Sequence, residues 1–393
     1  MTCFGLDLFI RNFPTELKKK RIGVVCHAAS ITSSCSHILD IFDSHSECIL
    51  AAIFGPQHGL YGQTQDNMVE WEGCTDPKRN IPVYSLYGKN RKPTEDMLSG
   101  LDALVFDLQD VGARPYTYVW TLKLCMEACM ESGIPIWVLD RPNPIGCIGV
   151  DGPVLSEQFY SFVGGAPVPL CHRLTMGELA SLMKNMFFEK LDLKVVWMEN
   201  WWRNSLWPQT GLPWVMPSPN MPAVDTAIVY PGMVLLEATN LSEGRGTTRP
   251  FELFGAPYIN IEKFRKILLS YKLEGCFFRE NGFIPTFQKW SNQYCFGMQI
   301  HVTDPCIYKP VLTAAVIIDS VIKASDGGFE FKDPPYEYET EKMPFDILSG
   351  DDTLRNELIN GISLEGLIEK WAESYEQYTD FISDIVWYPE KSQ

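Results

Sequence analysis

Across residues 102–144 the chain alternates apolar and polar blocks with a regular rhythm. Residues 103–106 are a short apolar run, broken at once by Asp107, Gln109, Asp110, Gly112 and Arg114. Leu122, Cys125, Met126 and Cys129 then fall at helical spacing, and Gly133 followed by Pro135 marks where that helix must stop. A second apolar run, residues 136–139, leaves through Asp140-Arg141-Pro142-Asn143-Pro144. Strand, helix and strand in this order predict a βαβ unit with two parallel strands. Both polar loops then leave the same carboxyl edge of one sheet, which is where open α/β folds place ligands.

The same pattern continues on either side. Residues 22–26 and 49–54 read as strands, the first running into His27 and the second into Gly55-Pro56-Gln57-His58-Gly59. Further strands are predicted at 83–86 and 193–198, with helices at 34–42, after a Thr94 cap as far as Gly100, and from the capping-box pair Thr175/Glu178 through Met186. Residues 60–80 are polar and glycine-punctuated, and they carry Gln65-Asp66-Asn67 and Glu70-Trp71-Glu72. That is too long and too rich in side-chain chemistry for a plain connector, so it reads as a binding loop. From about residue 251 the rhythm changes: a helix over 261–270, strands at 276–278 and 297–302, a helix over 311–322, and two helices within the acidic stretch 349–377. In the second of these, Leu364, Leu367, Ile368 and Trp371 share a face. The prediction is an α/β protein with a first domain over 1–230 and a smaller α/β auxiliary domain over 231–393.

Composition narrows the function. A chain of 393 residues exceeds one ordinary core, which agrees with two domains. Its net charge of −16 argues against nucleic acid or an anionic membrane as a main partner, while leaving room for a small anion held by local arginines. No apolar run is long enough for a membrane span, and the first ten residues lack the pattern of a signal peptide. Twelve scattered cysteines, without a CxxC pair, suit a reducing compartment, so a cytoplasmic location is expected. Oligomeric state is not legible.

Several familiar chemistries drop out. There is no GxGxxG after the first strand, no P-loop, no GxSxG elbow and no HExxH, and the histidines at 27, 37, 45, 58, 172 and 301 show no zinc spacing. No metal or cofactor is expected. What remains are carboxylates, imidazoles and arginines gathered at strand ends: His27, Gln57, His58, Asp107, Asp110, Asp140 and Arg141. Asp107 and Asp110 fit either a site, a cap on the following helix or a pairing with Arg114, and Asp140-Arg141 fits either a ligand contact or a structural ion pair. A second loop, Ser242-Glu243-Gly244-Arg245-Gly246, combines free backbone donors with a guanidinium and could cradle an anion. Carboxylates beside tryptophan, tyrosine and asparagine in long loops lean towards a sugar site, since paired carboxylates are the usual tools of glycoside hydrolysis.

The stretches FGPQHGLYGQTQDNM, PVYSLYG, DLQDVGARPYTY, VLDRPNP, PSPNMP, NLSEGRGTTRPFELFGAP and QIHVTD occur in an order that resembles the bacterial DUF1343 family. The chain is similar over nearly its whole length to exo-β-N-acetylmuramidases of the NamZ type, glycoside hydrolase family 171. The resemblance implies a Rossmann-like domain bearing the catalytic centre, an auxiliary domain, and a cleft between them. It also implies release of non-reducing terminal N-acetylmuramic acid from peptidoglycan fragments, with a peptidoglycan-derived sugar or muropeptide as partner. Many relatives carry GPEHG where this chain has Gln57, and an amide cannot donate the proton a general acid supplies. Glu70, then Glu72, are therefore the expected acids, with Asp107 or Asp110 orienting water or the acetamido group. Gln57, His58, Arg114, Tyr116, Asp140, Arg141, Asn143, Asn220, Glu243 and Arg245 are the expected substrate contacts, with Arg245 or Arg141 on the lactyl carboxylate. Two alternatives follow from the departure at Gln57: a catalytically silent muropeptide-binding protein, or a hydrolase of another amino sugar.

Overall fold

The computed structural model describes residues 1–44, 47–66, 68–361 and 363–391. His45 and Asn67, both among the residues read above, lie outside it, as does the side chain of Leu364.

In chain order the strands of the first half are β1 (Arg21–Cys26), β2 (Ile49–Gly55), β3 (Cys74–Thr75), β4 (Pro82–Ser85), β5 (Ala103–Asp107), β6 (Ile136–Leu139), β7 (Asp151–Val154), β8 (Pro169–Cys171) and β9 (Leu193–Val196). β7 and β8 pair with each other. The other seven form one sheet in the order β3-β4-β2-β1-β5-β6-β9, parallel except at the β3 edge. The inner strands are buried on both faces and read as unbroken apolar runs, which is why they were visible in the sequence. Chain order runs outward from β1 in both directions, so the switch point lies between β1 and β5. Cleft-forming loops are expected beside it.

The helices of this half are α1 (Gly5–Arg11), α2 (Ile38–Ser44), α3 (Glu95–Leu98), α4 (Tyr118–Ser132) and α5 (Met176–Phe187). Thr94 caps α3, with its hydroxyl accepting from the Met97 N–H, and Thr175 and Glu178 complete a reciprocal capping box on α5. Gly133 ends α4 with φ 68°. The helix expected from residue 34 starts only at Ile38. Thr32 and Ser36 bond each other's backbone first, in a tight Ile31–His37 turn, and such local side-chain bonding competes with a helix.

The second half contributes α6 (Val224–Met233), β10 (Leu253–Ala256), α7 (Ile261–Ser270), β11 (Cys276–Phe283), β12 (Cys295–Val302), α8 (Pro310–Ala324), α9 (Pro344–Ser349), α10 (Thr353–Asn360) and α11 (Leu364–Phe381). Its three strands form an antiparallel sheet in the order β10-β12-β11. β11 is longer than its apolar start suggests because Arg279, Glu280 and Asn281 lie on an exposed edge. In α11, Leu367 and Trp371 are buried but Ile368 is exposed. One apolar cluster runs from Val25 and Phe106 to Ile318 and Trp371, so the second half packs on the first and shares its core. α6 and α8 cross at that joint, where Gly232 lies against the Pro310 carbonyl with no room for a Cβ. Among the described residues no helix is long and apolar enough to cross a membrane.

Candidate active site

Where β2 and β5 end, two loops turn over the carboxyl edge of the sheet. Gln57 and His58 come from the first, and Tyr116, Thr117 and Tyr118 from the second. Facing them are Ser218 and Asn220, then Glu237, Arg245, Tyr336 and Glu337 from the second half. Together they enclose a small polar cavity of about 30 Å³. That is room for about two waters and far too little for a pyranose ring, so a sugar enters only if a wall moves back.

Glu337 is the unusual member. Its carboxylate accepts from the Tyr87 hydroxyl at 2.9 Å and from the Gln57 side chain, whose own oxygen accepts from Thr117 at 2.7 Å. Burial, with the Glu237 charge nearby, pushes the Glu337 carboxyl up to about 7. Tyr336 and Glu339 exchange both backbone hydrogen bonds at 2.9 Å, so Glu337 and Tyr338 are the two central residues of a tight hairpin turn. Their φ values are 44° and 69°. Turns of this kind favour Asn-Gly, and holding two bulky residues there costs on the order of 1–3 kcal/mol each. Local stability does not explain Glu-Tyr at this position. The result is a carboxyl aimed into the cavity.

Glu237 is the second carboxylate. One oxygen pairs with the Arg245 guanidinium at 2.6 Å and the other accepts from the Tyr336 hydroxyl at 2.7 Å. Arg245 is itself held by Glu237 and, at 3.4 Å, by Glu243. Its Nη1 and Nε have no hydrogen-bond partner although both are buried. Nε faces Glu243, so a carboxylate entering the cavity could accept a charge-assisted hydrogen bond from Nη1. Glu243 stands behind it. Burial raises the Glu243 carboxyl, but the charges of Lys289 and Arg245 outweigh this and hold it down.

His58 has φ 70°, and its Nδ1 lies 2.7 Å from the Thr64 carbonyl. A carbonyl only accepts, so Nδ1 carries the proton. Burial lowers the ring to about 4, so the imidazole is neutral and Nε2 is left as an acceptor at the cavity. Asn220 donates to the Gln65 carbonyl at 2.6 Å, tying the 60–72 loop to the floor of the site.

The structure thus brings together Gln57, His58, Tyr116, Asn220 and Arg245, with Glu243 directly behind. The other expected residues lie elsewhere. Glu70 and Glu72 are exposed and line no part of the cavity; Glu70 accepts from the Tyr338 hydroxyl at 3.1 Å. Asp107 and Arg141 form a buried forked pair at 2.5 and 2.8 Å, and Arg141 also donates to the Ile31 carbonyl. Asp110 accepts from Gly112 at 2.7 Å and faces His172 at 3.5 Å. Arg114 spends its donors on the carbonyls of Pro153, Val168 and Leu348. Asn143 bridges Leu174 and Ile145. Asp140 accepts from Thr175, Gly177, Tyr388 and the Arg141 N–H. Sequence reasoning missed Glu237, Tyr336, Glu337 and Tyr87. A lone acid inside the apolar stretch Val234–Ala238 was the available signal for Glu237. The Pro-Pro-Tyr-Glu-Tyr-Glu run at 334–339 was the weaker one for Glu337.

Comparison with known proteins completes the picture. Residues 22–225 match the family model for the N-terminal part of exo-beta-N-acetylmuramidase NamZ, and residues 228–388 match that for its C-terminal part. The chain is 42% identical over 375 residues to the peptidoglycan beta-N-acetylmuramidase NamZ of Bacillus subtilis (strain 168), covering 95% of this chain and 88% of that protein. Two crystal structures of DUF1343 family proteins from Bacteroides fragilis NCTC 9343 are similar throughout. One has a TM-score of 0.87 at 29% identity, covering 98% of this chain and 99% of its own. The other has 0.78 at 28% identity with both chains fully covered.

Proposed function

The chain belongs to the NamZ family of exo-β-N-acetylmuramidases, and on that premise we propose that Glu337 is the general acid and Glu237 the charged carboxylate of its active site. The protein is a glycoside hydrolase that releases non-reducing terminal N-acetylmuramic acid from peptidoglycan fragments. The observation that carries the assignment is the Glu337 carboxyl, buried and raised to about 7, beside a second carboxylate in one cavity. An acid of that strength is still about half protonated at neutrality and can hand its proton to the glycosidic oxygen as the C1–O bond breaks. The Glu237 charge, fixed by Arg245 and Tyr336, faces the positive charge that develops at C1. Water completes the hydrolysis at C1.

Arg245 takes the lactyl carboxylate through its unused Nη1, which separates N-acetylmuramic acid from N-acetylglucosamine. Neutral His58 accepts from a ring hydroxyl, while Asn220 and Tyr116 shape the walls. Gln57 donates to Glu337 and keeps it in place. A reducing, cytoplasmic setting is part of the proposal, supported by twelve cysteines that are all free thiols.

The test is hydrolysis of a chromogenic N-acetylmuramic acid glycoside and of its N-acetylglucosamine analogue across a pH series. Release from the first alone is expected, with kcat falling as pH rises through about 7, because the acid must stay protonated. Binding without release would favour the silent reading. Equal release from both would favour a different amino sugar.

A further inference from the structure

Glu337 also lines a second, open groove of about 740 Å³. The groove lies against α4, the 89–94 turn and the 161–165 loop. A general acid gives its proton to the leaving oxygen, so the space reached from the other side of Glu337 is where the departing saccharide must lie. Phe162 and Tyr338 offer two rings with centroids 6.1 Å apart, and Tyr338 is exposed. The Arg91 guanidinium lies over the Tyr338 ring at 3.8 Å. Four cations line the groove of a protein whose net charge is −16. Two are already engaged: Lys92 on Glu127 and Glu131, and Lys123 on the Gly165 carbonyl. Glu339 is engaged by its own turn, accepting from the backbone of Thr340 and Glu341. Arg91 and Lys89 are left, and among the described residues neither has an ion-pair partner.

We propose that this groove receives the leaving saccharide and selects one bearing a carboxylate. An N-acetylglucosamine ring would lie against Phe162 and Tyr338, and a carboxylate one residue further on would meet Arg91 and Lys89. In an alternating polymer that carboxylate is either the lactyl group of the next muramic acid or an acid of its peptide stem. The proposal rests on the reading of Glu337 as the acid, and it concerns the far side of that residue.

The test compares kcat/KM for three saccharides: N-acetylmuramyl-N-acetylglucosamine, the trisaccharide ending in a second muramic acid, and that trisaccharide with a peptide stem. The protein is expected to prefer a carboxylate-bearing trisaccharide over the disaccharide by about tenfold, the worth of one charge-assisted contact. In Arg91→Ala/Lys89→Ala the ratio should fall towards one, and 0.5 M salt should erode it in the unaltered protein. Whichever trisaccharide shows the dependence identifies the carboxylate. A ratio near one in the unaltered protein, or an equal loss on all three saccharides in the variant, overturns the groove. Calorimetric binding of the product N-acetylglucosaminyl-N-acetylmuramic acid, weaker in the variant, reads the groove without catalysis. If no glycoside is cleaved but this binding difference holds, the hydrolase assignment fails and the groove stands; no difference in binding sinks the groove.

Discussion

Two carboxyls in this molecule, Asp140 and Glu337, are pushed by burial to nearly the same acidity, about 7. Their surroundings differ in kind. Around Asp140 every approach is filled by Thr175, Gly177, Tyr388 and the Arg141 backbone, and nothing from outside can reach it. Glu337 has two donors, Tyr87 and Gln57, and otherwise borders the small cavity on one side and the open groove on the other. A raised carboxyl marks only the loss of water. What separates scaffold from chemistry is whether a reacting group can take the place of that water. The contrast extends to the guanidiniums, since Arg141 is forked onto Asp107 while Arg245 keeps its buried Nη1 unused.

The hardest blow to this distinction would come from Glu337→Gln. Turnover should fall by about 10²- to 10⁴-fold with the fold intact, and a near-normal rate in a steady-state assay would remove the acid assignment. Arg141→Met should do the opposite. It leaves Asp107 buried without its partner, and unfolding in urea should show a loss of about 3–5 kcal/mol while turnover per folded molecule barely moves.

A third measurement concerns stability against pH. The Glu337 carboxyl is raised from 4.5 to about 7, so folding is favoured by the protonated form. That contribution is complete below pH 4.5 and lost as pH rises through about 7. Glu337→Gln should therefore outlast the unaltered protein at pH 8 by up to about 3 kcal/mol, with the gap closing in acid. The smallest effect is expected for Glu70→Gln. Glu70 is exposed and meets only the rim of the groove through Tyr338, so kcat should change by less than about twofold.

The sheet was legible because buried parallel strands are written as unbroken apolar runs, and β1, β2, β5 and β6 all carry one. The near half of the site was legible for the same reason: Gln57, His58 and Tyr116 follow directly from strand ends. Arg245 and Asn220 were reached through the glycine-rich loop and the family resemblance. The acid was not. Glu337 is 280 residues from Gln57 in sequence, on a strained turn with no periodicity, and only the packing of the second half on the first brings them together. Glu70 and Glu72 looked better because they share a loop with Gln57, yet nearness along a chain does not fix where a side chain points. Asp107, Asp110, Arg114, Asp140 and Asn143 were conspicuous for a different reason. Polar groups that must be buried at a sheet edge have to be mutually satisfied, and that requirement writes dense polar motifs as plainly as catalysis does.

The Tyr388 hydroxyl that closes over Asp140 also binds the Met198 N–H, and the backbone of Trp387 and Tyr388 bonds Glu178. These contacts join the end of the described chain to strands and a helix made near its beginning. During synthesis the large sheet emerges first, with Asp140 and Glu178 still waiting for partners that leave the ribosome more than two hundred residues later. The β6–β9 edge of the large sheet is thus sealed last. A nascent chain stopped short of residue 387 should remain open to proteases along the β6–β9 edge, however well its central strands have formed.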